Sequence, residues 1–209
     1  MLTDELKAHW NQLHQSITTD RQFTDQTFAD LVLAYESKGR YYHTLHHIQA
    51  MFNSLQEYAS LLRETDVVAF SIFFHDYVYN ASSKTNEEES AEAAVQHLER
   101  TGFPAEKTAR VKAYIMATKT HVNADQQPDV DYLLDFDLQI LGAEPAIYEA
   151  YTRQIRQEYI QYPDLLYKPG RKKVLQHFLQ MPAIYKTAEF RSRYEAAARK
   201  NIETEITNL

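Results

Sequence analysis

The sequence predicts an all-α protein, one domain spanning residues 1–209 and built from roughly nine or ten helices. Three observations carry that prediction. Apolar residues recur at helical spacing in several stretches, glycine and proline fall where helices should stop and start, and no Asn-Gly or similar hairpin signal occurs. Phe28, Leu31, Val32 and Tyr35 keep helical period, and Gly39 follows them. Leu45, Ile48, Met51, Phe52 and Leu55 continue the pattern. Val67 to Phe74 is a nearly continuous apolar run that could be a strand. Thr65 and Asp66 before it look like a helix N-terminus, so it reads as a buried helix. The stretch from Ala91 to Arg100 ends at Gly102, and Pro104 opens the next helix. Val130, Leu133, Leu134, Leu138, Ile140 and Leu141 form an amphipathic stripe, with Gly142 and Pro145 repeating the stop-and-start arrangement. Val174, Leu175, Phe178 and Leu179 mark a further helix. The segment carrying Arg191, Arg193, Glu195, Arg199, Lys200, Glu203 and Glu205 presents a solvated face. No internal repeat, low-complexity stretch or linker interrupts the chain.

At 209 residues the chain can bury a sizeable core, about 70% of its unfolded surface. It has no cysteine, which removes disulfides, thiolate zinc sites and cysteine nucleophiles together. A net charge of −7 argues against nucleic-acid or anionic-membrane partners, because phosphate backbones and anionic headgroups need a basic surface. It leaves room for a small phosphorylated substrate, since a bound cation supplies local positive charge. No apolar run is long enough to cross a bilayer, and Met1-Leu2-Thr3-Asp4-Glu5 lacks a signal-peptide pattern, so a cytoplasmic location is expected.

The chemistry-bearing residues are histidines and aspartates at metal-ligand spacing: Tyr42-His43-Thr44-Leu45-His46-His47, Phe74-His75-Asp76, and Asp135-Phe136-Asp137. Imidazole and carboxylate hold borderline and hard divalent cations, and helical bundles build such sites from side chains on separate helices. On a helix His43 and His47 share a face, whereas His46 lies about 100° from its neighbour, so at most one of His46 and His47 fits a given site. His75-Asp76 offers a nitrogen and an oxygen at one place, provided the helix ends there and lets both side chains converge. Asp135 or Asp137 lies near the apolar stripe of its helix, where a cation would neutralise it. No His-Glu-x-x-His, Glu-x-x-His, Gly-x-x-x-x-Gly-Lys, Gly-x-Gly-x-x-Gly or Gly-x-Ser-x-Gly pattern offers a competing chemistry.

This His…His-Asp…Asp order resembles the HD-domain superfamily of metal-dependent phosphohydrolases, and within it the bacterial predicted metal-dependent HD phosphohydrolases. The similarity runs along most of the chain: Arg40-Tyr41-Tyr42-His43, His75-Asp76-x-x-Tyr79, Asn86-Glu87-Glu88-x-Ser90-Ala91, Ala117-Thr118-x-x-His121 and Tyr167-x-x-Gly170-Arg171. The resemblance implies an HD-type helical bundle and a divalent ion (Mn, Mg, Fe, Ni or Co) held by His47, His75, Asp76 and Asp137. Tyr42-His43-x-x-x-His47 is similar to a segment of cyclic-nucleotide phosphodiesterases, whose first histidine is the general acid. That implies His43 as acid and His47 as ligand, and Asp137-Leu138 favours Asp137 over Asp135. No counterpart of the purine-clamping region of those enzymes occurs, so their specificity does not transfer.

The expected activity is hydrolysis of a small phosphorylated molecule, a nucleotide or other phosphoester, with His43 and Asp76 at the reacting centre. The cation would acidify water and polarise a phosphoryl oxygen. Further candidates are His121 and Arg171, for a second ion or for phosphate, and Glu87 and Glu88 as acceptors that orient ligand histidines. Surface roles are open for all four. A homodimer is compatible with the composition. Two alternatives stand beside this expectation: a non-catalytic module that binds a metal or metabolite, and a di-iron oxygenase on the same fold.

Overall fold

Local helix signals set most of the element boundaries in the computed structural model, which describes Met1–Leu209. Ten α-helices form and no strand does: α1 (Leu2–His14), α2 (Arg21–Tyr35), α3 (Leu45–Tyr58), α4 (Thr65–Phe74), α5 (Asn86–Thr101), α6 (Ala105–Thr118), α7 (Pro128–Leu138), α8 (Pro145–Glu158), α9 (Asp164–Gln180) and α10 (Ala188–Asn208). No helix is long and apolar enough to cross a membrane. Gly102 caps α5 in the left-handed conformation (φ 77°), where the missing Cβ removes the usual penalty, and Pro145 opens α8. The contacts divide the chain into two units, Met1–Leu133 and Leu134–Leu209, and the division falls inside the continuous helix α7.

In the first unit α4 is the buried element. Every residue from Val67 to Phe74 is buried, with α3, α5 and α6 packed around it, which is why its sequence shows no polar face. The start of α4 is fixed by Asp129, whose buried carboxylate accepts the backbone N–H groups of Arg63 (3.0 Å) and Glu64 (2.8 Å). Trp10 of α1 is fully buried, donates its indole N–H to the Thr24 carbonyl (2.9 Å), and meets Phe70 and Phe73 edge-on.

Beside Trp10 lies a buried histidine pair. His14 Nδ1–H donates to the Trp10 carbonyl (2.8 Å), so its Nε2 accepts from His97 Nε2–H at 2.7 Å. His97 Nδ1 has no partner. Burial holds both imidazoles below the usual histidine range, His97 down to about 3. The folded chain keeps them neutral where the unfolded chain, with histidines near pH 6.5, would protonate them. Their contribution to stability is therefore complete above about pH 6.5 and declines as pH falls, by up to about 1.4 kcal/mol per pH unit for each histidine. Urea unfolding is expected to show a falling midpoint between pH 7 and pH 5, with a shallower fall in His97→Leu. A midpoint constant across that interval would contradict the pair's burial as neutral groups.

In the second unit Gly142 does more than end a helical segment. A Cβ there would sit 2.6 Å from Tyr194 Cβ and 2.9 Å from the Tyr194 carbonyl oxygen, so glycine lets the two backbones approach. Gly142→Ala should cost about 1–3 kcal/mol by overpacking, measurable by chemical denaturation. Helix α9 begins at Asp164, ahead of the Val174 to Leu179 stretch that marks it in the sequence, and carries Pro169 and Gly170 in its interior. Arg171 is correspondingly not a surface residue. It is buried against Glu205, bonding its two carboxylate oxygens at 2.7 and 3.1 Å, and Tyr148 also donates to Glu205 (2.5 Å).

Candidate metal centre

Three helix termini position the central side chains. Thr44, in extended conformation, is the N-cap of α3, which places His47 in the first turn, 4% exposed. His43 lies before this helix rather than on it, so the expected shared helical face is replaced by a turn. The turn still brings the two rings to 6.0 Å between centroids, crossed at 80°. His46 points outward and is exposed, which selects His47 from the two neighbours.

The apolar helix α4 ends at Phe74, and His75 is its C-cap. The chain turns directly afterwards, with Tyr77 N–H bonded to the Phe74 carbonyl (3.0 Å), so His75 and Asp76 converge as the helix end allows. The following loop is pinned by two residues of α5. Ser90 Oγ accepts from Val78 N–H (3.0 Å), and the Asn86 side chain accepts from Asn80 N–H (3.1 Å) and donates to the Asn80 carbonyl (3.0 Å). Asn86 and Ser90, part of the family-like pattern, thus hold the loop that leaves the His-Asp turn.

His75 is 1% exposed, and its Nδ1 lies 3.0 Å from the Ile72 carbonyl. A carbonyl only accepts, so Nδ1 carries a hydrogen there and Nε2 is the ring atom turned toward the site. Nε2 faces Asp76 Oδ2 at 3.1 Å and His47 Nε2 at 3.3 Å. Asp76 Oδ2 is also 4.0 Å from His43 Nε2. Helix α7 supplies the remaining group: ligand atoms of His47, His75 and Asp137 all lie within 4.8 Å of one another. Asp76 adjoins this mutually close set through His75.

The 3.1 and 3.3 Å separations around His75 Nε2 come close to the edge of a ligand polyhedron. Adjacent donors about 2.1 Å from an octahedral ion stand about 3.0 Å apart. Two nitrogens and carboxylate oxygen, without sulfur, suit a borderline or hard divalent ion. Two imidazole nitrogens and a carboxylate brought this close at a buried place call for a proton or a metal cation among them. The His75 Nδ1–H bond to a main-chain carbonyl is the second contact that metal-binding histidines ordinarily make. The residues therefore fit a cation: His47, His75 and Asp137 could hold a metal ion.

Asp135 and Asp137 are two apart on α7, about 200° around the helix, and so serve opposite faces. Asp135 is fully buried and accepts from Lys186 N–H (2.6 Å), Thr187 N–H (2.8 Å) and Thr187 Oγ–H (2.7 Å). Burial pushes its carboxyl up to about 6 against the pull of those bonds. Its work is to secure the start of α10, where Thr187 is the N-cap.

The remaining candidates separate. Glu88 is exposed and paired with Lys119, which lowers its pKa, so it orients no ligand histidine. Glu87 lies half-buried in the first turn of α5. His121 sits just after α6 in the left-handed region (φ 52°), an uncommon conformation for a side-chain-bearing residue. Arg171 is committed to Glu205 and to the Tyr151 hydroxyl (3.3 Å). Sequence reasoning assigned no task to Arg40 or Tyr79, which stand against the His43 and Asp76 backbone and the His43 ring; their appearance in the family-like runs was the available signal.

No family model, curated protein or solved structure matches the chain.

Proposed function

We propose that this protein is a metal-dependent phosphohydrolase of the HD type, acting on a small phosphorylated molecule such as a nucleotide or other phosphoester. The observation that carries the reading is the buried His75 Nε2 turned toward His47 and Asp76, with Asp137 grouped with the two histidines. His47, His75, Asp76 and Asp137 would hold Mn, Mg, Fe, Ni or Co. Such an ion supplies Lewis acidity to water and to a phosphoryl oxygen.

The protein's own groups divide the remaining work. His43 stands beside the ligands without joining them, its Nε2 4.0 Å from Asp76 Oδ2. A proton on that nitrogen would be available to a leaving-group oxygen, the role of a general acid. Its ring is flanked by Tyr42 (5.0 Å between centroids) and Tyr79 (4.5 Å), which restrict its rotation. A pure ion-storage site would have no use for an imidazole so placed.

Protein purified without chelators, tested against a panel of phosphomonoesters and phosphodiesters with Mn, Mg, Fe, Ni and Co, should hydrolyse at least one class with at least one ion. Tight ion binding with no phosphoester turned over would leave the non-catalytic binding module. Oxygen consumption with iron would favour the oxygenase.

A further inference from the structure

Arg40 is 9% exposed, yet its guanidinium meets no carboxylate. Nη1 donates to the Asp76 carbonyl at 2.6 Å and the His43 carbonyl at 3.3 Å, and Nη2 donates to the Tyr77 carbonyl at 2.7 Å. Nε has no hydrogen-bond partner. The cation lies 4.9 Å from the Tyr35 ring centre and 5.2 Å from that of Tyr79. Buried cations are ordinarily paired with an anion, and a guanidinium given only main-chain carbonyls and π faces is an expensive way to stabilise a fold. The carbonyls it chooses belong to two segments 36 and 37 residues apart from it or 3 residues away: the turn carrying Asp76 and the turn carrying His43. Tyr79 makes a second link, because the ring that meets Arg40 also lies against the His43 imidazole, 4.5 Å between centroids and tilted 31°.

We propose that Arg40, acting with Tyr79, is the positioning residue of the centre: it locks the His43 turn to the His75-Asp76 turn and sets the direction of the His43 ring. This deepens the phosphohydrolase reading and rests on it for the role of His43, whereas the placement of the ring is a property of the metal-free chain. Arginine suits the task because its planar fork reaches several carbonyls at once while a face stacks on a ring. Lysine keeps the charge but concentrates its donors at one point.

The test uses the full chain with 15N-labelled histidine, first free of metal. The ring signal of His43 is assigned by its absence from His43→Ala. It should be single and sharp in the parent, shifted and broadened or doubled in Arg40→Met, and intermediate in Arg40→Lys, with circular dichroism unchanged. On an alkyl phosphoester with the preferred ion, Arg40→Met should lower kcat about 10–100-fold with KM within about threefold. The Arg40→Met/His43→Ala pair should be no slower than His43→Ala alone, since a residue acting through His43 has nothing left to orient. A parent-like His43 signal in Arg40→Met, or losses that multiply in the double variant, would overturn the proposal. Should Arg40→Met fail to fold, the same readings on Arg40→Lys decide it. Absence of turnover on every phosphoester would reject the phosphohydrolase reading, and the metal-free ring signal would still decide whether Arg40 places His43.

Discussion

Asp76→Ala is expected to remove divalent-ion binding and phosphoester turnover together. Asp76 Oδ2 lies 3.1 Å from His75 Nε2 and 4.0 Å from His43 Nε2, so it faces both imidazoles. No other carboxylate follows His75 in the turn. Affinity for Mn should fall about 100-fold or more by calorimetric titration, since even partners that touch ligands only indirectly are worth about 10–100-fold. Asp135→Ala provides the contrast. It strands the half-buried Lys186 N–H and the buried Thr187 N–H and hydroxyl at the start of α10, and should cost about 2–4 kcal/mol of stability while the folded fraction binds the ion with parent affinity. Equal ion affinity in Asp76→Ala and the parent would remove Asp76 from the ligand set.

His43→Ala should separate chemistry from binding. His43 Nε2 comes no nearer than 4.0 Å to Asp76 Oδ2 and is proposed as acid rather than ligand, so the ion should remain bound while turnover of an alkyl phosphoester falls by about 10²–10⁴. With a nitrophenyl ester, whose leaving group departs without a proton, the loss should shrink. A sensor module has no reason to show that dependence on the leaving group. Undiminished turnover on the alkyl ester, with the ion retained, would reject His43 as the acid and keep the hydrolase.

The helices were legible because their signals are local. Apolar period, Gly102 past α5 and Pro145 at the start of α8 act within a turn of where they stand, and the nearly continuous apolar run of α4 registered its burial directly. The His47, His75 and Asp137 group was legible in its residue types and in the end of α4 at His75, because the groups that could hold a metal ion are few. Geometry that depends on distant segments was not. The turn that carries His43 in front of α3 departs from the helical face that i, i+4 spacing suggests, since Thr44 takes the cap. Arg171 looked available for phosphate until Glu205, 34 residues later, claimed it. The bonds from Arg40 to main-chain carbonyls place no demand on residue type at positions 43, 76 and 77, so they leave no pattern to read. The His14–His97 pair spans 83 residues and is equally silent in the sequence.

Elemental analysis of the protein purified without chelators, followed by titration of the metal-free chain with Mn, tests the central claim most directly. The account predicts at least one divalent ion per parent chain, bound through nitrogen and oxygen, and a sharp loss of that ion in each of His47→Ala, His75→Ala and Asp137→Asn. A parent chain that binds none of Mn, Mg, Fe, Ni or Co, or variants that bind as tightly as the parent, would contradict it.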